Sequence, residues 1–162
     1  MSITVGDKLP AATFLRMGPS GPEPVELAPR LAGKRVVIFA LPGAYTGPCT
    51  TAHVPSFIRT KPQFDAKGIA EIICIAVNDP HVMKAFGDST GAAKAGITML
   101  SDAEATFTKA MGMDFTAPAA GLINRSRRYA MLVDDGVVKV LHAEESNGTC
   151  DISGGEAMLA VV

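Results

Sequence analysis

Residues 35–49 read RVVIFALPGAYTGPC, and this stretch decides how the chain starts to fold. It begins inside an apolar run at 34–41 that is rich in β-branched residues and ends at Pro42, a pattern typical of a buried strand. The pattern at 51–68 is helical and ends at a glycine. The sequence therefore predicts a strand, a stiff turn and a helix, with Cys49 in the first helical turn.

Strands and helices continue to alternate along the rest of the chain. Further elements are predicted as strands at 69–79 and 97–102, helices at 79–96 and 103–113, a hairpin over 127–145 and a last helix at 152–162. The order β-α-β-α-β-α-β-β-α predicts an α/β fold in which a central mixed β-sheet is flanked by helices. Residues 1–162 are expected to form a single domain.

Several individual residues refine this outline. Pro55 lies inside the predicted second element and is expected to kink its helix. Asp135-Gly136 is a typical tight hairpin turn, and Ser153 is expected to cap the last helix. Residues 115–126 are expected to form a long irregular loop, a kind of segment that often carries function.

Composition excludes several classes of partner. Fifteen basic and sixteen acidic residues give a net charge of −1, so neither nucleic acid nor an anionic membrane is expected as a partner. No apolar run approaches the roughly 20 residues that span a bilayer, and the first residues lack the pattern of a secretory signal. These features predict a cytoplasmic protein, with organellar import of a longer precursor as the alternative.

The chain has three cysteines, Cys49, Cys74 and Cys150. Three is too few for a disulfide scaffold, and no pair has the CxxC spacing of a zinc site or a redox dithiol. No metal site and no cofactor are therefore expected, and the question becomes which thiol is reactive.

Cys49 is the candidate nucleophile because of its place at a helix start. Helix N-termini carry partial positive charge and unpaired N–H donors, and they can lower the pKa of a cysteine from about 8.5 toward neutrality. Thr46 can direct its hydroxyl toward the same helix start, and Pro42 can shield the Cys49 sulfur from water. A small buried core residue is the alternative for an isolated cysteine, but the Pro-Gly turn chemistry favours a reactive thiol.

The motif Pro42-x-x-x-Thr46-x-x-Cys49 resembles the PxxxTxxC signature of peroxiredoxins. PGAYTGPC followed by HVPSF is similar to the corresponding block of the type-five, or type II, subfamily. The stretches GIAEIICIAVNDPHVMKAF, SDAEATFTKAMGM and RSRRYAMLVDDGVVK resemble the same subfamily in the same order, so the resemblance covers nearly the whole chain. It implies a thioredoxin-like fold with an N-terminal extension and an insertion, and a peroxidase that uses neither metal nor flavin.

The resemblance also implies roles for individual residues. Cys49 would attack the O–O bond of hydrogen peroxide or an organic hydroperoxide and become a sulfenic acid. Thr46 would hydrogen-bond the peroxide, and Arg128, which directly precedes an aromatic residue, would stabilise the thiolate and the transition state. Gly47 and His53 would line the pocket.

One residue departs from the family pattern. In the family, the residue before the cysteine offers a backbone N–H to the peroxide, whereas Pro48 has none. Loss of one such donor costs other enzymes roughly 3 kcal/mol of transition-state stabilisation. The departure therefore bears on the rate of the reaction more than on its nature.

The sulfenic acid must then be resolved, and two routes are open. Some members of the subfamily carry a resolving cysteine in the loop that here reads EESNGTCDISGG, which implies a Cys49–Cys150 disulfide reduced by thioredoxin. Others rely on an external thiol, glutathione or glutaredoxin. Cys74 lies in an apolar strand, where thiols are usually inert. The subfamily also implies a homodimer, formed through the face near the active site.

Two other functions compete with a peroxidase. A thioredoxin-fold binding or chaperone module would not use Thr46, Cys49 or Arg128. A cysteine hydrolase would pair Cys49 with His53 as a general base, but no orienting Asp or Asn lies at a recognisable spacing. A pocket-lining or structural role is therefore favoured for His53, and a coupled peroxide-reduction assay separates the three functions.

Overall fold

The structure is a computed structural model and describes residues 2–162, apart from the side chain of Cys49. The strands are β1 (Thr13–Gly18), β2 (Gly21–Glu26), β3 (Arg35–Ala40), β4 (Glu71–Ala76), β5 (Thr98–Ser101), β6 (Asp114–Ala117), β7 (Leu122–Ser126), β8 (Tyr129–Asp134) and β9 (Val137–Ala143). The α-helices are α1 (Ala28–Leu31), α2 (Val54–Ala66), α3 (Pro80–Thr90), α4 (Thr106–Ala110) and α5 (Gly155–Leu159). A π-helical turn, Cys49–His53, precedes α2, and a 3₁₀ turn, Pro118–Ala120, joins β6 to β7.

A mixed sheet with the strand order β2-β1-β5-β4-β3-β8-β9 forms the centre of the fold. β3, β4 and β5 run parallel, while β8 pairs antiparallel with β3. The predicted α/β fold with a central mixed sheet is confirmed. Because β3 and β4 are parallel neighbours, their carboxyl ends meet at one edge, and the segments that leave them lie side by side.

Helices cover both faces of this sheet. On one face α2, α3 and α5 bury Phe57, Phe64, Phe86 and Met158 against the sheet, and the ring of Phe57 stacks on Phe39 of β3 at 4.1 Å. On the other face α1 and α4 pack with the N-terminal segment. Each buried aromatic or aliphatic side chain contributes on the order of 1.5–3 kcal/mol. No helix among the described residues is long and apolar enough to cross a membrane.

The start of α2 differs from the expected kinked helix. α2 begins at Val54, so Pro55 lies in its first turn, where a proline is tolerated. The irregularity falls instead on the turn before it, Cys49–His53, which is π-helical. A proline N cannot donate to the carbonyl of Thr51, and the wider turn accommodates that loss. The proline inside α2 is Pro62.

The expected irregular loop at 115–126 is wrong. β6 and β7 form an antiparallel ribbon there, in which Phe115 pairs with Arg125. The register shifts between Phe115 and Ala117, and Gly121 closes the turn at a φ of 72°. The proline, the short alanine side chains and the bulge break the regular alternation that marks a strand in sequence.

The last helix starts later than predicted. α5 begins at Gly155 with Gly154 as its cap residue, and Ser153 does not cap it. A Cβ on Gly155 would lie 2.4 Å from the carbonyl oxygen of Ser56, so glycine permits α5 to approach α2 this closely. The Gly155 N–H donates to Ser56 Oγ at 2.8 Å, which fixes this end of the chain beside the start of α2.

Two other features concern hairpins. β1 and β2 form an antiparallel hairpin that extends the sheet at its β5 edge, as the implied N-terminal extension requires. The hairpin turn predicted at Asp135-Gly136 is confirmed, with φ values of 50° and 80° at these two residues.

Candidate active site

The turn after β3 is held by the segment after β4. The Ala44 N–H donates to Asn78 Oδ1 at 2.9 Å, and Asn78 lies just beyond the carboxyl end of β4. Pro42 and Gly43 are buried, whereas Tyr45 adopts a φ of 66° and is half-exposed. A turn this tight leaves backbone N–H groups without regular partners. Asn78, just after the neighbouring strand, supplies an acceptor for one of them.

Arg125 of the β6–β7 ribbon covers the same turn. Its Nη1 donates to the Pro42 carbonyl at 3.2 Å. A Cβ on Gly43 would lie 2.4 Å from that nitrogen, so a larger residue here would displace the guanidinium from its present position. The ribbon and the turn are therefore in direct contact.

Helical backbone begins at Gly47, which places the Cys49 backbone in the first helical turn. The side chain of Cys49, the predicted nucleophile, lies outside the described part of the structure. Gly47 is exposed with open space at its α-carbon, and Pro48 is half-buried. Amide groups in a first turn have no intrahelical acceptor, so the backbone here can stabilise negative charge.

Thr46 ends the turn, and its hydroxyl forms a hydrogen bond within it. Its hydroxyl donates to the Gly43 carbonyl at 2.8 Å, and its own carbonyl accepts from Thr50 N at 3.2 Å. Because the hydroxyl proton points to Gly43 in this arrangement, the Thr46 oxygen is oriented to accept the O–H of a peroxide.

His53, the last residue of the π-helical turn, forms a buried pair with Arg128. Both are 0% exposed, and Arg128 Nη1 donates to His53 Nδ1 at 2.9 Å. His53 Nε2 lies 3.0 Å from the Ser153 carbonyl, which can only accept, so Nε2 carries the proton. His53 is thus a buried link between Arg128 and Ser153 rather than a residue at an open pocket mouth.

The environment keeps His53 neutral. Burial and the positive charge of Arg128 lower the pKa of His53 from 6.5 to about 3, although the bond to Ser153 acts in the opposite direction. A general base needs an available lone pair, and the Nδ1 lone pair of His53 accepts from Arg128. This geometry argues against the hydrolase alternative.

Arg128 also contacts the loop that follows β9. Its Nη2 donates to the Asn147 carbonyl and its backbone N to Asn147 Oδ1, both at 3.3 Å. The guanidinium therefore has partners both in the turn before α2 and in residues 144–153. These partners hold the fork in one orientation.

Glu144 is the buried carboxylate of that loop. It is 4% exposed, and its Oε2 accepts from Asp151 N, Ser153 N and Ser153 Oγ at 2.7, 2.8 and 2.6 Å. Burial alone would raise the pKa of Glu144, but these hydrogen bonds and the charge of Arg128 outweigh it and hold the pKa below its usual value. Glu144 is therefore an anion at neutral pH.

The two remaining cysteines differ in exposure. Cys74 is 0% exposed within β4. Cys150 is half-buried in residues 144–153, and its Sγ lies 3.8 Å from the position a Cβ on Gly154 would take. Within the described part of the chain, no group of three or more His, Cys, Asp or Glu residues could hold a metal ion.

The structure thus brings together residues that are far apart in sequence. Pro42, Thr46 and Gly47 share one turn, and Arg128 contacts His53 at the end of the helical turn that follows it. Sequence reasoning missed the side chains that support them: Asn78, Arg125, Glu144, Asn147 and Ser153. Only Asn78 carried a signal, since it lies at the carboxyl end of the strand predicted at 69–79, where sites in α/β folds often form.

Comparison with known proteins supports a single family. The Redoxin family profile matches residues 4–159. A rice relative (Oryza sativa subsp. japonica), named Peroxiredoxin-2E-2, chloroplastic, is 45% identical over an alignment 162 residues long, which covers 98% of this chain and 72% of that protein.

Solved structures agree with the sequence relatives. Reduced Prx3 from Vibrio vulnificus in complex with H₂O₂ has a TM-score of 0.90 and 40% identity, with 98% of each chain covered. Peroxiredoxin 5 from Alvinella pompejana has a TM-score of 0.83 and 32% identity, with 98% of this chain and 96% of that chain covered.

Proposed function

This chain belongs to the Redoxin family and is a peroxiredoxin, a thiol-dependent peroxidase, and from that premise we propose that Cys49 is its peroxidatic thiol and Cys150 its resolving thiol. The observation that carries the first assignment is the fully buried Arg128, whose guanidinium contacts His53 one helical turn after Cys49. A buried, permanently charged fork at this point favours an anion at the helix start.

The proposed first half-reaction balances without a cofactor. The Cys49 thiolate forms an S–O bond to one peroxide oxygen, the O–O bond breaks, and the departing oxygen leaves as water or an alcohol after taking a proton. The sulfur is oxidised to a sulfenic acid and the peroxide is reduced. Thr46 Oγ1 accepts the O–H of the peroxide, and Arg128 stabilises the negative charge that shifts between the oxygens. Pro42, buried in the turn, limits access of water to the sulfur.

His53 is proposed to position Arg128 rather than to transfer protons. Its Nδ1 accepts from Arg128 while its Nε2 donates to Ser153, so both nitrogens are occupied. At a pKa of about 3 it stays neutral over the range in which a peroxidase works, and a neutral ring does not repel the guanidinium. Gly47, exposed beside the helix start, is proposed to form the rim through which the peroxide enters.

The resolving assignment rests on the place of Cys150. It lies between Asn147 and Ser153, which contact Arg128 and His53 respectively, so its loop adjoins the proposed peroxide site. Its half-exposure suits a thiol that must react with a sulfenic acid, whereas the full burial of Cys74 does not.

Peptide mapping tests this assignment. Protein treated with one equivalent of peroxide and then blocked is expected to carry a Cys49–Cys150 disulfide within one chain. Cys150→Ser should instead accumulate Cys49 sulfenic acid. If oxidised wild type carries only sulfenic or glutathionylated Cys49, and Cys150→Ser turns over normally with glutaredoxin, an external thiol resolves the intermediate.

The partners follow from the same chemistry. Hydrogen peroxide and organic hydroperoxides are the proposed oxidants; the Vibrio vulnificus relative was solved in complex with H₂O₂. Thioredoxin is the proposed reductant for a disulfide, and glutathione with glutaredoxin is the alternative for a lone sulfenic acid. The binding-module alternative is not favoured, because the relatives are named as peroxiredoxins.

A homodimer is proposed through the face around the turn. Tyr45 and Ile123 are 52% and 53% exposed on the turn and on the ribbon next to it, and a second copy would cover such apolar side chains. Light scattering at high micromolar concentration is expected to give about twice the 16.8 kDa of one chain. A mass near that of a single chain would contradict the dimer.

The compartment stays a prediction. The cytoplasmic assignment rests on sequence alone, and the rice relative carries the word chloroplastic in its name. Import of a longer precursor into an organelle therefore remains the alternative proposal.

A further inference from the structure

The loop that carries Cys150 is held on its C-terminal side by one carboxylate. Glu144 Oε2 accepts from Asp151 N at 2.7 Å, Ser153 N at 2.8 Å and Ser153 Oγ at 2.6 Å. Ser153 is itself 0% exposed. Hydrogen bonds to an ionised acceptor are roughly twice as strong as neutral ones. Three of them on one oxygen make Glu144 a strong anchor for the residues that follow Cys150.

The same loop completes the surroundings of the arginine. On its N-terminal side Asn147 contacts Arg128 with its carbonyl and its side chain, and on its C-terminal side the Ser153 carbonyl contacts His53. A loop that moves as a unit would remove these contacts from Arg128 and His53 together. The anchored position is therefore the one in which Arg128 keeps its contacts with Asn147.

Resolution needs a second position of the loop. A disulfide places the two sulfurs about 2.05 Å apart. In the reduced protein the two sulfurs are not bonded and lie farther apart than this, so Cys150 must move toward Cys49 when the bond forms. The loop must then exchange between a state that supports Arg128 and a state that delivers Cys150, and the bonds to Glu144 belong to the first state.

We propose that Glu144 is a positioning residue that holds the Cys150 loop closed during peroxide reduction, and that its release sets the rate of disulfide formation. This inference rests on the proposed role of Cys150. In the step itself the Cys150 sulfur attacks the sulfenic sulfur of Cys49, an S–S bond forms and the S–O bond breaks. The oxygen leaves as water with the thiol proton. The Cys49 sulfur is reduced and the Cys150 sulfur is oxidised, so no outside reagent is needed.

Glu144→Gln tests the inference, with Glu145→Gln as its matched control. Both substitutions remove one carboxylate from adjacent residues, but Glu145 is exposed whereas Glu144 is 4% exposed. Glutamine keeps the shape and weakens the three bonds by removing the charge. We expect Glu144→Gln to speed Cys49–Cys150 disulfide formation after a peroxide pulse roughly tenfold. Amide hydrogen exchange at Asp151 and Ser153 in the reduced protein should speed up by a similar factor.

A second variant keeps the inference testable if Glu144→Gln does not fold. Ser153→Ala removes the shortest of the three bonds and leaves the Glu144 charge beside Arg128. It is expected to raise both rates about threefold. A merely structural role would lower stability and activity together without raising the rate of disulfide formation.

The outcomes separate this inference from the function on which it rests. Faster amide exchange and faster disulfide formation in both variants, with both rates unchanged in Glu145→Gln, support the role proposed for Glu144. Unchanged exchange in both variants overturns it, as does faster exchange with an unchanged or slower disulfide step. If wild type forms no Cys49–Cys150 disulfide at all, the resolving assignment itself fails and gating by Glu144 fails with it. The exchange data then still report whether Glu144 anchors the loop.

Discussion

Replacing Cys49 with serine is expected to reduce peroxide consumption to the rate measured without protein. A serine hydroxyl remains protonated at neutral pH even at a helix start, and it cannot cycle through a sulfenic acid. The measurement is the loss of hydrogen peroxide with dithiothreitol as the reductant, so that no partner protein is needed.

Cys74→Ser is the matched control for this substitution. Cys74 is fully buried in β4 and pairs in register with Phe39, so the change places a hydroxyl in the core and costs some stability. It should nevertheless retain most of the peroxidase activity. Full activity in Cys49→Ser, or complete loss in a folded Cys74→Ser, would overturn the assignment of the peroxidatic thiol.

Arg128→Lys is expected to slow sulfenic acid formation about 100- to 1,000-fold. Lysine keeps the positive charge but loses the planar fork, so it cannot contact His53 and a developing oxyanion in the same geometry. Loss of one oriented donor to a transition state has an effect of this size in other enzymes. Rapid-mixing kinetics with hydrogen peroxide give the second-order rate constant directly.

Arg127→Lys provides the comparison at the adjacent residue. Arg127 is half-buried, and its Nη2 donates to the Glu144 carbonyl at 3.3 Å, away from His53. Its rate constant should stay within about threefold of wild type. Equal rate constants for folded Arg128→Lys and wild type would rule out a role for the guanidinium in the transition state.

The fold was largely predictable because its main elements follow local patterns. β3 and β4 are continuous apolar runs, and the turn at Asp135-Gly136 needs left-handed backbone that these residues tolerate. The β6–β7 ribbon was not predictable, since its bulge and its proline disrupt the alternation. Ser153 was predicted to cap α5, but it donates to Glu144 from across the loop instead, and no local pattern reports that partner.

The sequence by itself determined the turn chemistry of the proposed site. Pro42, Thr46, Gly47 and Cys49 lie within eight consecutive residues, so their spacing and their place at a helix start follow from the chain itself. Short-range geometry is set by backbone sterics and helix termini, and these are properties of neighbouring residues.

Only the tertiary structure decided what surrounds that turn. Arg128 was assigned through a family resemblance, and its contacts with His53 and Asn147 join residues 75 and 19 positions apart. The ionised state of Glu144 and the neutral state of His53 depend on burial and on partners that meet only in the folded chain. Charge and hydrogen bonding act through space, and a single sequence does not state which distant groups will share a low-dielectric environment.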